Sequence, residues 1–169
     1  MNPVLAEWNQ LDREAAIIAL NHCCAATRWA EELTSLRPFA NERDLLKAAD
    51  KVWATMREED WLQAFRAHPR IGERKAIHAS AQSATWSTQE QAAAATAESE
   101  TLEKLAAGNR AYEDRFGFTY IVCATGRTVH EMLEILTQRL ISTRAAELAE
   151  AAEQQRQITE IRLRKWLGR

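Results

Sequence analysis

The chain has 169 residues, 46% of them hydrophobic, which is enough to bury one ordinary core and hardly two, so a single domain over residues 1–169 is expected. Lys and Arg number 22 against 24 Asp and Glu, and a net charge of −2 supplies no general attraction to nucleic acid or to an anionic membrane, so neither is an expected partner. No basic segment leads into a long apolar run near Glu7, Asp12, Arg13 and Glu14, and the terminal Leu167-Gly168-Arg169 is no peroxisomal address. A cytoplasmic protein without signal peptide or membrane span is therefore expected.

Five glycines and three prolines interrupt a pattern that is helical almost throughout, which predicts an all-α, single-domain bundle. An opening helix runs from about Asp12, with Ile17, Leu20 and Cys24 on its apolar face, and Pro38 separates it from a second helix starting at Asn41. In the second, Leu45, Ala48, Val52 and Met56 share a stripe. A short helix around Trp61, Leu62 and Phe65 must stop before Pro69, because a helical residue ahead of proline clashes with its ring. Residues 69–86 are the least regular stretch. Ser87 opens an alanine-rich helix carrying Leu102 and Leu105, which Gly108 interrupts or terminates, and a helical turn at Tyr112 to Phe116 reaches Gly117.

Phe118 to Cys123 is strand-like in composition, yet a lone strand has no partner in a helical chain, so it reads as a buried extended connection. Thr128 with Glu131 forms a capping box ahead of Val129, Met132, Leu133, Leu136 and Leu140. A last helix occupies roughly 144 to 167. The six tryptophans, at 8, 29, 53, 61, 86 and 166, are too dispersed for one patch and read mostly as core or dimer interface.

The chemistry concentrates at His68-Pro69-Arg70-Ile71-Gly72-Glu73 and Ser87-Thr88-Gln89-Glu90-Gln91. A histidine before proline is biased toward extended backbone, so His68 stands at a corner where a helix has just ended and its ring can enter a pocket. The plain alternative is a hydrogen-bonded histidine at a helix terminus. Ser87 and Glu90 fit a capping box, which leaves Gln91 unexplained. Turned toward His68, Glu90 would instead accept the second imidazole N–H and raise the basicity of the other nitrogen. One residue cannot do both.

His22, His78 and His130 show no His-x-x-x-His spacing, so no metal is predicted. Cys23, Cys24 and Cys123 form neither an even disulfide framework nor zinc-ligand spacing and read as reduced, buried thiols. Arg162, Arg164, Lys165 and Arg169 make the C-terminus basic, which is ordinary for a helix end. Arg162 differs by following Ile161: on the edge of an apolar face a guanidinium can clamp a carboxylate or urea-like group with two parallel hydrogen bonds. Arg127, beside the extended segment, either helps to hold a ligand or caps a neighbouring element.

Taken in order, Phe65-x-x-His68-Pro69-Arg70-Ile71-Gly72, Ser87-x-x-Glu90-Gln91, Tyr112-x-x-Arg115-Phe116-Gly117-Phe118-x-Tyr120-Ile121-Val122, Arg139-Leu140 and Ile158-x-x-Ile161-Arg162-Leu163 resemble the 2-oxo-4-hydroxy-4-carboxy-5-ureidoimidazoline (OHCU) decarboxylase family. Each block is weak alone; the ordered set covers nearly the whole chain. Tyr120 stands where a phenylalanine is common in that family, and Ser142 where many members have an asparagine.

The resemblance implies an all-α homodimer acting on a small molecule, with no metal or organic cofactor. It makes His68 the principal catalytic residue and Glu90 its partner. It also implies that Pro69, Ser87, Gln91 and Arg162 bind substrate, with backbone amides near Ile121 and Val122 meeting a ring oxygen. No fused hydroxyisourate hydrolase, as found in some relatives, is expected. The rival reading is a non-catalytic helical interaction module, which would need no convergence of His68, Glu90 and Gln91 on one cavity.

Overall fold

The computed structural model describes residues 2–71 and 99–168. Among them are eight α-helices and no strand, in agreement with the all-α expectation: α1 (Pro3–Gln10), α2 (Arg13–Asn21), α3 (Thr27–Ser35), α4 (Glu42–Ala54), α5 (Glu58–Arg66), α6 (Ser99–Phe116), α7 (Val129–Arg139) and α8 (Arg144–Trp166). None of these helices is long and apolar enough to cross a membrane. The chain forms two compact units, one of Met1–Ala64 with Arg156–Arg169 and one of Phe65–Gln155.

In the first unit, α1 lies ahead of the expected opening helix and has the marks of a helix start of its own. Pro3 sits at its first position, and the Asn2 side chain accepts from the N–H groups of Val4 and Leu5. The segment expected as one helix from Asp12 is two. It breaks at His22 to Ala26 without glycine or proline, where the N–H groups of Cys23 and Cys24 both turn back to the Leu20 carbonyl. Asn41 caps α4 as expected, its side chain accepting from Asp44 N–H at 3.0 Å. The buried stripe of α4 contains Leu45, Ala49, Val52 and Trp53, with Ala49 rather than Ala48 facing inward.

Tryptophans dominate this core. Trp8 and Trp29 are buried, and their indole N–H groups donate to the carbonyls of Ala16 at 3.0 Å and Ala49 at 3.1 Å, so neither polar handle is lost to burial. Trp166 meets Trp8 edge-on at 5.9 Å between ring centres, and Phe39 stacks on Trp8 at 6.1 Å.

The second unit is built on α6 packed against α7. Gly108 does not end its helix: α6 continues to Phe116 and takes in the turn read separately at Tyr112. The glycine serves the packing, because a Cβ there would lie 2.6 Å from Leu136 Cδ2 on α7. Gly117, at φ +80°, closes α6 in the left-handed conformation, its N–H donating to the Glu113 carbonyl at 2.8 Å. Residues 118–124 then run without regular secondary structure and are buried except for Thr119, matching the expected extended connection. Thr128 and Glu131 form the expected capping box of α7.

Candidate functional site

His68 follows the end of α5. Its N–H donates to the Phe65 carbonyl at 3.1 Å, and Pro69 prevents further helix, which leaves the imidazole half-buried at the corner. Its Nε2 lies 2.6 Å from Oε1 of Gln155, a fully buried side chain of α8. The preceding residue, Gln154, accepts the N–H of Cys123 at 2.8 Å through Oε1 and donates to Glu150 Oε1 at 2.9 Å. Two consecutive glutamines thus reach two different parts of the expected site, the imidazole and the extended segment.

That segment is also held from its other edge. Arg139, 8% exposed, donates to the Ile121 carbonyl at 2.7 Å, to Glu147 Oε2 at 2.7 Å and to the Tyr112 hydroxyl at 3.2 Å. Tyr112 in turn donates to Glu147 at 2.7 Å. Burial pushes the Tyr112 phenol upward, so it stays neutral and keeps that hydrogen. The Arg139 guanidinium stands over the rings of Tyr120, at 4.9 Å, and Tyr112, at 5.6 Å. The Tyr120 hydroxyl donates to the Met132 carbonyl at 3.2 Å, a partner that phenylalanine would leave unused. Arg127 caps rather than reaches out: its Nε donates to the Cys123 carbonyl at 3.1 Å.

With its carbonyl occupied, Ile121 turns attention to the amides. Ile121 and Val122 are 1% and 6% exposed, and among the described residues neither N–H has an acceptor. Two successive amide N–H groups on one buried segment can receive an oxygen brought by a ligand.

Arg162 belongs to the first unit and is 2% exposed, deeper than the semi-buried edge expected. Its positive charge acts on Cys23 and Cys24. Burial pushes both thiols upward, Cys24 to about 11, and the guanidinium opposes the rise only in part. All three cysteines are buried and none of them forms a disulfide, as read from their spacing. Ser87, Glu90 and Gln91 lie outside the described residues. Among the described residues no three His, Cys, Asp or Glu side chains come together in a way that could hold a metal ion. A depression of about 880 Å³ in the first unit, with Asn41, Lys47, Asp50 and Arg164 in its wall, contains none of the expected site residues.

Sequence reasoning missed Gln154, Gln155 and the structural use of Arg139. The one available signal was Arg139 in a matching block; the glutamines sit in a run of helix formers that reads as a solvated face.

The family model for OHCU decarboxylase matches residues 9–164. The uric acid degradation bifunctional protein TTL of Arabidopsis thaliana is 36% identical over 144 residues, 85% of this chain and 44% of that protein, so the chain spans less than half of that relative's length. The 2-oxo-4-hydroxy-4-carboxy-5-ureidoimidazoline decarboxylase of Haloferax volcanii is 27% identical over 160 residues, 94% of this chain and 93% of that one. Among solved structures, an OHCU decarboxylase crystallised in the presence of (S)-allantoin superposes with a TM-score of 0.76 at 33% identity, over 88% of this chain and 96% of that one.

Proposed function

Because the chain belongs to the OHCU decarboxylase family, we propose that it is a carboxy-lyase converting 2-oxo-4-hydroxy-4-carboxy-5-ureidoimidazoline to (S)-allantoin in urate degradation, without metal or organic cofactor. The observation that carries this reading is the likeness to the decarboxylase crystallised in the presence of (S)-allantoin.

The substrate explains why no electron-accepting cofactor is called for. Its departing carboxylate stands next to a ring carbon doubly bonded to nitrogen, so the electron pair released with CO₂ flows into the ring and no pyridoxal-type electron sink is needed. The protein has to orient the substrate, support the charge moving onto the ring, and deliver one proton to one face. A histidine, with an unperturbed pKa of about 6.5, suits the proton step near neutral pH.

In this proposal His68 polarises the 4-hydroxyl and carboxylate or supplies the proton, with Glu90 as its partner. Pro69, Ser87 and Gln91 bind the ring and its ureido arm, and Arg162 clamps a carboxylate or ureido group through parallel hydrogen bonds. The N–H groups of Ile121 and Val122 donate to a ring oxygen. Their lack of an acceptor among the described residues supports that role, as does the grip of Arg139 and Gln154 on the same segment. The active form is a cytoplasmic homodimer.

The test is stereochemical. The ureidoimidazoline is generated freshly from urate with urate oxidase and hydroxyisourate hydrolase, the protein is added, and allantoin is followed by circular dichroism. Rapid appearance of the (S)-allantoin signal is expected. Slow, racemic decay in the presence of folded protein would reject the activity and leave a helical interaction module as the better reading.

A further inference from the structure

We infer that Gln155 is a positioning residue that fixes the tautomer of His68, holding the hydrogen on Nε2 and leaving Nδ1 as the nitrogen that accepts a proton in the neutral ring. The inference rests on the proposed catalytic role of His68, and it gives the N–H of the neutral ring to Gln155, so that Glu90 can accept from the ring only in its protonated form.

The geometry is direct. A carboxamide oxygen can only accept a hydrogen bond, and Oε1 of Gln155 faces Nε2 of His68 at 2.6 Å, so the contact is a bond only when Nε2 carries hydrogen. The glutamine is 0% exposed, and water does not compete for that oxygen. It also sits on a firm base: its neighbour Gln154 is bonded at both ends, to Cys123 N–H and to Glu150, so this turn of α8 is tied to the extended segment beside it. The Nδ1–H tautomer would instead set the Nε2 lone pair against the Gln155 oxygen, two acceptors facing each other with no hydrogen between them.

The choice of an amide over a carboxylate has its own consequence. A carboxylate against Nε2 would favour the imidazolium; a carboxamide selects the tautomer without adding a charge. Gln155 touches no reacting atom in this scheme and acts only through the imidazole, as the residues behind metal-ligating histidines do.

The experiment uses the full chain with ¹⁵N-labelled histidine rings. The chain has four histidines, and His68 is assigned by the signals lost in His68→Asn. In wild-type protein above the ring's titration, long-range ¹H–¹⁵N correlation should show His68 with Nε2 protonated and Nδ1 bare. In Gln155→Met that pattern should give way to a tautomer mixture, and kcat should fall about 10- to 100-fold with KM little changed, the range seen when an imidazole loses its orienting partner. Gln155→Glu, which keeps an acceptor of the same length, should restore Nε2–H, and it serves as the readout if Gln155→Met fails to fold. An Nδ1–H tautomer in wild type, or a pattern unchanged in Gln155→Met, would overturn the inference. If His68→Asn keeps full activity, the catalytic reading of His68 fails instead, whatever tautomer is observed.

Discussion

Arg139 donates to the carbonyl oxygen of Ile121 at 2.7 Å while its Nε pairs with Glu147 at the same distance, so one guanidinium both neutralises a buried carboxylate and pins the segment that carries the proposed amide donors. Glu147 is 3% exposed. Arg139→Met would leave that carboxylate charged, dry and without its cation, and removing one partner of a buried pair costs about 3–5 kcal/mol. Urea unfolding should show a loss of that size, and a change below about 1 kcal/mol would mean that water reaches Glu147.

His68→Asn should lower kcat for the ureidoimidazoline by about 10²- to 10⁴-fold, the usual contribution of a positioned acid or base. Asparagine is too short to reach Gln155 from this corner, so a stability loss of about 1 kcal/mol should accompany it. Steady-state kinetics beside thermal unfolding separates the two effects. Full activity in the variant would rule the histidine out.

Alkaline stability should fall because of buried thiols. Cys24 has an ordinary value of 9.0 and is pushed up to about 11 in the folded protein by burial. Between those values the unfolded chain has released the proton and the folded chain has not, so unfolding is favoured increasingly as pH rises from about 9 to about 11. Cys23 acts in the same direction. Unfolding free energy measured across that range should decline, and Cys24→Ala should flatten part of the slope.

Thr128→Ala should destabilise the protein by about 0.5–2 kcal/mol through loss of the cap on α7, read by denaturant unfolding at neutral pH. Glu131, the other half of the box, accepts from Thr128 N–H at 2.6 Å, and this bond holds its carboxyl below the ordinary 4.5. Its contribution is therefore present above that value and lost as pH falls through the lowered one. Glu131→Gln should remove this part of the acid dependence, and an acid limb identical to wild type would contradict it.

Much of the fold was legible where a local rule acts alone. Asn41 and the pair Thr128–Glu131 announce helix starts by side-chain chemistry that needs no tertiary context, and the structure uses both as read. Asn2-Pro3 carries an equally local signal, an asparagine cap followed by proline at the first helical position. The break at His22 to Ala26 was hidden because neither glycine nor proline marks it; Ala26 opens α3 without any side-chain cap. Of the candidate site, the corner at His68 and the extended run through Ile121 and Val122 followed from proline and from a strand-like stretch without a partner. Gln154 and Gln155 did not, because a glutamine's polarity says nothing about whether its acceptor is water or a buried N–H. Burial is a property of the assembled core.

Gly108 and Leu136 divide a single volume between two helices. A methyl group at 108 would stand 2.6 Å from the leucine's Cδ2, so a larger residue on α6 requires the Leu136 side chain to move or to shrink. Enlarging residue 108 is therefore expected to be tolerated better when residue 136 is made smaller than when Leu136 is kept.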